Sequence, residues 1–254
     1  APSSFSSTTF ANTPATIYYF PNTSGWGTTV AGRPAKLLPL EFENRGDCIV
    51  ITRLNASFTG HLPIPEILDG IPVTSIGSSA FRACASLTSV TIPDSVTSIG
   101  TYAFYDCFSL RSVLIPDSVT VVSAFAFAFC SSLSEVTIPD SVTYIGRGVF
   151  TGCDSLASVT IPETVTSIGD DAFSYCGSLI DITFPESLDF IGDYAFTGCG
   201  LLSSVTIPGS VTHIGADAFS YCTSLTSVLF TGDAPDIDSY AFYFIPATLY
   251  YLPA

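Results

Sequence analysis

The chain has 254 residues, 47% hydrophobic and only 11% charged, with 7 basic against 22 acidic residues and a net charge of −15. That balance argues against nucleic acid, whose phosphates need a basic footprint. No run approaches 18 consecutive apolar residues, so no membrane-spanning helix is expected and the apolar content must serve a core.

Residues 1–39 are read as a cap-like segment and a possible contact between subunits. Phe10, Pro14, Ala15, Thr16, Tyr18, Tyr19 and Pro21 recur, in order and spacing, as Phe242, Pro246, Ala247, Thr248, Tyr250, Tyr251 and Pro253. The coil around Trp26 that comes after the first copy has no counterpart after the second. The absence of methionine leads to the expectation of a mature or excised piece.

Residues 40–71 are expected to form a β-hairpin cap covering the first apolar face of the coils behind it. Its strands are placed at Cys48 to Leu54 and Phe58 to Ile64, with a turn at Asn55–Ser57. Arg45, Gly46 and Asp47 fall in turn chemistry, Asn-Arg-Gly-Asp. The same tripeptide resembles the integrin-recognition motif, and both readings stand.

Residues 72–254 are read as a repeat array with an open C-terminal end. Cys84, Cys107, Cys130, Cys153, Cys176, Cys199 and Cys222 are each 23 residues apart, as are Phe81, Phe104, Phe127, Phe150, Phe173, Phe196, Phe219 and Phe242. A fixed period of this size means stacked coils, each too small to bury its own apolar face. Alternating β-branched pairs, Val90/Ile92 and their equivalents, predict short strands that pair in parallel between coils. Proline (Pro93 and its equivalents) ends each strand. Val96 and Ile99 return the chain along a second wall. Gly77, Gly100, Gly146, Gly169, Gly192 and Gly215 are expected to turn with positive φ. Apolar residues three apart in A-F-x-x-C-x-x-L suit one turn of tight helix.

The pattern LxxVxIPxxVxxIGxxAFxxCxx resembles the BspA-like, treponemal-type leucine-rich repeat family over residues 60–245. The resemblance implies an α/β fold: a right-handed leucine-rich-repeat solenoid with a parallel β-sheet on the concave face and short helical turns or strands on the convex face. It implies a non-enzymatic, secreted or cell-surface protein, often one that adheres to host or neighbouring-cell proteins. No family motif fixes binding residues. Phe10 to Pro34 resembles the segment that closes the far end of such arrays.

No nucleophile elbow, HExxH, P-loop or GxGxxG is present, and the two histidines, His61 and His213, offer no general base: the His213 slot holds Val121 and Phe190 elsewhere. The chain is therefore read as non-catalytic, with no cofactor. The ladder cysteines read as buried packing, with a disulfide framework or a metal line as the alternatives. Asp94, Asp117, Asp140, Glu163 and Glu186 form an acidic column after the prolines. Turn chemistry, with the carboxylate accepting backbone hydrogen bonds, is set against a calcium column. The Ser-x-Thr rows of the first wall read as a solvated face, or as the rows of an ice-binding solenoid.

Tyr102, Tyr105, Phe108, Phe125 and Phe129 concentrate in two coils and are candidates for partner binding, with well-packed core as the other reading. Ahead of the cysteine, large residues (Phe129, Tyr175, Tyr221) alternate with small ones and are expected to lean over them. Tyr18, Tyr19, Trp26, Phe242, Phe244, Leu249, Tyr250 and Leu252 are candidates for self-association. Two functions fit these features: a protein-binding adhesion module, or a structural subunit stacking head to tail into a filament or surface layer.

Overall fold

The computed structural model describes residues 40–55 and 57–251 in full, and the backbone of three short strands before them. Those three are β1 (Ile17–Tyr19), β2 (Thr29–Val30) and β3 (Arg33–Leu37). They form a sheet of their own, with β1 parallel and β2 antiparallel to β3. Trp26 and Leu252 lie outside the described residues, as do the side chains of Tyr18 and Tyr19.

The solenoid opens with β4 (Leu40–Asn44), β5 (Ile49–Leu54), β6 (Gly60–Pro63), β7 (Ile67–Leu68) and β8 (Ile71–Ile76). The two expected cap strands exist but do not pair with each other. β5 is antiparallel to β4 and parallel to β8, whereas β6 runs parallel to β9 (Leu87–Thr91). The hairpin is therefore β4–β5, and the turn at Asn55 carries the chain from one wall of the first coil to the other.

Each later coil contributes one strand to each of two walls. They are β9 and β10 (Ser98–Ile99), β11 (Ser112–Leu114) and β12 (Val121–Val122), β13 (Glu135–Thr137) and β14 (Tyr144–Ile145). Next come β15 (Ser158–Thr160) and β16 (Ser167–Ile168), then β17 (Asp181–Thr183) and β18 (Phe190–Ile191). The last are β19 (Ser204–Ile207) and β20 (His213–Ile214), β21 (Ser227–Phe230) and β22 (Asp236–Ile237), and finally β23 (Thr248–Tyr251). Like residues face like residues in parallel register: Val113 pairs with both Val90 and Val136. The first wall is interrupted between β17 and β19, and the second between β12 and β14.

The third wall is the A-F-x-x-C stretch, and it is not helical. Two residues per coil have positive φ, for example Tyr102 (58°) and Asp106 (61°), which a right-handed helix does not tolerate. Alternate amides therefore point in different directions. Ala103, Tyr105 and Cys107 donate within the coil to the residue three before, while Tyr102, Phe104 and Asp106 donate to Ala124, Ala126 and Ala128 of the next coil. The expected helical turns are replaced by linked turns that hydrogen-bond from coil to coil.

The glycines expected to have positive φ do not have it. Gly100, Gly192 and Gly215 are needed for close approach: a Cβ on each would stand 2.6 Å from a backbone nitrogen of the preceding coil. Positive φ lies two and six residues further on, mostly at non-glycine residues.

Inside the walls run two ladders. Phe81 through Phe219 are buried at 1% exposure or less, and their rings stack from coil to coil with centroids 4.8 Å apart at Phe81–Phe104 and 5.8 Å at Phe127–Phe150. That widest step lies at the coil where the second wall is interrupted. The ladder cysteines are free thiols, each at most 1% exposed. Each thiol from Cys107 to Cys222 donates to the carbonyl of the phenylalanine 26 residues before it, as Cys107 does to Phe81 at 3.0 Å and Cys176 to Phe150 at 3.2 Å. The cysteine slot thus takes a small apolar side chain that also satisfies a buried carbonyl.

Candidate functional site: an aromatic platform on the turn wall

The positive-φ positions turn side chains outward, and this creates the most distinctive surface of the protein. Tyr102 and Phe125 occupy one such slot in successive coils; their rings stack with centroids 5.4 Å apart and planes 9° apart. Tyr105 packs edge-on against Tyr102 (5.3 Å) and against Phe129 (5.3 Å). Tyr102 and Phe129 remain 36% and 39% exposed. Four of the five candidate aromatics therefore form one connected cluster. Phe108 is exposed but touches none of these rings; it lies past the cysteine, at the next corner of the coil.

Two arginines brace the cluster. The Arg82 guanidinium lies 5.1 Å from the Tyr105 ring centre and 5.9 Å from that of Tyr102, and the Arg147 guanidinium lies 5.8 Å from Phe125. Arg147 also reaches Asp171 at 3.7 Å. The sequence carried a signal for Arg82, which stands one period before Tyr105; residue type alone did not reveal it. The platform combines flat apolar faces, phenol hydroxyls and cationic charge on a chain of net charge −15. It is suited to partners with apolar and anionic groups side by side.

Large residues do lean over small neighbours. A Cβ on Gly152 would stand 2.6 Å from the Phe129 ring, and one on Gly198 would stand 2.9 Å from the Tyr175 ring. Phe125 covers Gly148 in the same manner.

The remaining candidates are separate. Asp94, Asp117, Asp140, Glu163 and Glu186 are all exposed. Their carboxylates accept no backbone hydrogen bond from the described residues, contrary to the turn-chemistry expectation. The turn is closed by backbone bonds such as Val119 N–H to Pro116 O, and by the next residue, Ser118, whose hydroxyl donates to Val96 O at 2.6 Å. Among the described residues no group of three or more His, Cys, Asp or Glu is arranged to hold a metal ion. Arg45, Gly46 and Asp47 sit at the exposed β4–β5 turn. Asn44 Oδ1 accepts from the Gly46 amide (2.8 Å), and Arg45 is paired with Glu43 at 2.9 Å. On the first wall Ser112, Thr137, Ser158 and Thr160 are exposed, but Glu135, Asp181 and Leu114 (68% exposed) break the hydroxyl rows. His61 lies between Ser89 and Thr91; His213 stacks on Phe190 and faces Asp236 and Asp238.

At the far end, Phe242 is partly buried and stacks on Phe219 at 5.4 Å. Phe244 stacks on Tyr221 but is 62% exposed, and Leu249 and Tyr250 on β23 are 38% and 51% exposed.

The model of the BspA type leucine-rich repeat region matches residues 55–177 and 143–252, in six copies. The chain belongs to this family. Among solved structures, a leucine-rich cell surface protein of Faecalibacterium prausnitzii is 40% identical over 79% of this chain, with a TM-score of 0.67. This chain spans 55% of the length of that protein. A leucine-rich repeat protein of T. pallidum is 31% identical (TM-score 0.53), covering 78% of this chain and 80% of its own. One from Bacteroides ovatus is 27% identical (TM-score 0.52), covering 81% of this chain and 67% of its own. A comparison with curated proteins found no match. Among the described residues no helix is long and apolar enough to cross a membrane. Family membership thus fixes the solenoid.

Proposed function

We propose that this chain is a non-catalytic, protein-binding solenoid of adhesion type, acting in the secreted or surface-displayed state. Its family and a relative described as a cell surface protein support the setting. The observation that carries the binding role is the platform of Tyr102, Tyr105, Phe125 and Phe129. A cluster of stacked, part-exposed aromatics braced by Arg82 and Arg147 has no need to be exposed for the fold, because the core is already filled by the buried phenylalanine ladder. Interfaces are enriched in tyrosine, phenylalanine and arginine for this chemistry. The partner is a protein surface that presents apolar and acidic side chains together.

The test is attachment of the labelled chain to epithelial cells and to the same cells shaved with trypsin. Binding is expected to the untreated cells only, and to fall sharply for the double variant Tyr102→Ser with Arg82→Gln while the melting temperature holds. Equal binding by variant and parent would remove the platform from this role.

A further inference from the structure

A row of rings runs along the turn wall and shares only its first member with the platform. Phe129, Tyr175 and Tyr221 occupy one slot in every second coil, and Gly152 and Gly198 fill that slot in the coils between. The three have nearly the same backbone, with φ of 59°, 57° and 58°, and their amides donate to the next coil, at Thr151, Thr197 and Tyr243. Their side chains therefore leave the wall in one direction. The glycines give the rings room to lie across the following coil: a Cβ on Gly198 would stand 2.9 Å from Tyr175 Cδ1 and 3.2 Å from its Cε1. After Tyr221 the slot holds Phe244, which stacks on it with planes 10° apart. The rings of the row are 39%, 60% and 51% exposed, in chain order.

The spacing points to an occupant. Neighbouring strands lie ~4.8 Å apart, and the phenylalanine ladder inside this wall steps by 5.4 Å at both Phe150–Phe173 and Phe173–Phe196. Rings two coils apart thus stand ~10–11 Å apart. An extended β-1,4-linked chain of pyranose sugars has a disaccharide repeat of that length, and turns the same sugar face to the same side once per repeat. A pyranose face carries weakly positive axial C–H groups, and the face of an aromatic ring is weakly negative. An α-1,4-linked chain coils and keeps no such register. Polar partners recur with the rings. Asp171 and Asp217 stand in the other positive-φ slot of the Tyr175 and Tyr221 coils, both part-exposed, and their carboxylates can accept from sugar hydroxyls. A neutral polymer also escapes repulsion by a chain of net charge −15.

We infer that Phe129, Tyr175 and Tyr221 form a binding track for a neutral β-1,4-linked polysaccharide, a β-glucan or a polymer of N-acetylglucosamine, lying along the solenoid with one disaccharide per two coils. The track goes beyond the protein-binding reading and does not depend on it.

The experiment is titration calorimetry of the full chain with cellohexaose, chitohexaose and, as control, maltohexaose. A β-1,4-linked hexaose is expected to bind and maltohexaose is not; the tighter of the first two identifies the source of the sugar. Tyr175→Ala, at the middle of the row and without a ring contact among the described residues, should weaken binding about tenfold or more with the melting temperature unchanged. Tyr175→Trp should keep the binding. Tyr194→Ala removes a ring 44% exposed from an intervening coil and should leave binding as it was. Tyr102→Ser with Arg82→Gln should bind the hexaose like the parent, and Tyr175→Ala should attach to cells like the parent, so this inference and the platform fail separately. Absence of binding by both β-1,4-linked hexaoses overturns the inference. So does equal binding of maltohexaose, and so do equal losses from Tyr175→Ala and Tyr194→Ala, which would mean a surface that ignores the two-coil spacing.

Discussion

The ring of Phe129 lies over Gly152, one coil on, so closely that a Cβ on Gly152 would stand 2.6 Å from it. The pairing links a surface feature to the backbone: Gly152 has φ of +68°, and the missing side chain leaves the space that Phe129 fills.

Gly152→Ala therefore meets two penalties, a left-handed backbone and a ring that must move off its seat. A loss of about 2–4 kcal/mol is expected in urea unfolding. Gly177→Ala is the control, since its Cβ would enter open space; it should be neutral or stabilising by up to about 1 kcal/mol. Equal effects at the two sites would show that Phe129 does not depend on Gly152.

Phe150 stacks on Phe127 and Phe173 and is 1% exposed. Phe150→Ala should cost about 3–5 kcal/mol, because the coils on both sides pack against the emptied slot. Phe108→Ala, at a side chain 48% exposed and without ring contacts, should shift stability by no more than about 1 kcal/mol. Similar losses would contradict a core built from stacked rings.

Periodicity made the solenoid legible, because residues 23 apart become neighbours whatever the local conformation. Local conformation was less legible. Apolar residues three apart at Phe104 and Cys107 fit a helix and equally fit linked turns; the positive φ of Tyr102 and Asp106 decides between them, and nothing in the side-chain types announces it. The glycines misled for a related reason: Gly100 is required by the approach of a neighbouring coil, a long-range condition. The cluster of Tyr102, Tyr105, Phe125 and Phe129 was visible as composition. Its bracing by Arg82 and Arg147 depends on which slots face one another across coils. The β4–β5 hairpin was misplaced because strands β5 and β6 each satisfy the strand pattern, and only the partners distinguish a hairpin from a coil.

The acidic column should bind calcium only weakly. Asp94, Asp117 and Asp140 are exposed, one per coil, and do not converge as a hard cation requires. Calorimetry should show heat that disappears in moderate salt. Micromolar binding lost in Asp117→Asn would establish a site.

Asp47→Glu should leave cell attachment and melting temperature unchanged. The Asn44 side chain and the Arg45–Glu43 pair account for the turn without a receptor. Loss of attachment by this variant alone would assign the Arg45–Asp47 tripeptide to recognition.

The thiol ladder predicts how stability depends on pH. Burial pushes the Cys176 thiol from 9.0 up to about 12, and raises Cys130 and Cys153 as well. A raised value means that the folded chain keeps protons the unfolded chain releases. Stability is therefore complete below the ordinary thiol value and falls as pH climbs from about 9 towards about 12, by roughly 1.4 kcal/mol per pH unit for each such thiol. The urea midpoint should be level between about pH 7 and 8 and drop steeply above about 9. Cys176→Ala removes one contributor, so its slope should be shallower even though its stability at neutral pH is lower, Phe150 having lost its thiol donor. Native protein should also react slowly with alkylating reagents at all seven ladder positions, and quickly once unfolded. A midpoint that stays level to about pH 11, or rapid labelling of the native ladder, would show that these cysteines are not the buried neutral donors the ladder requires.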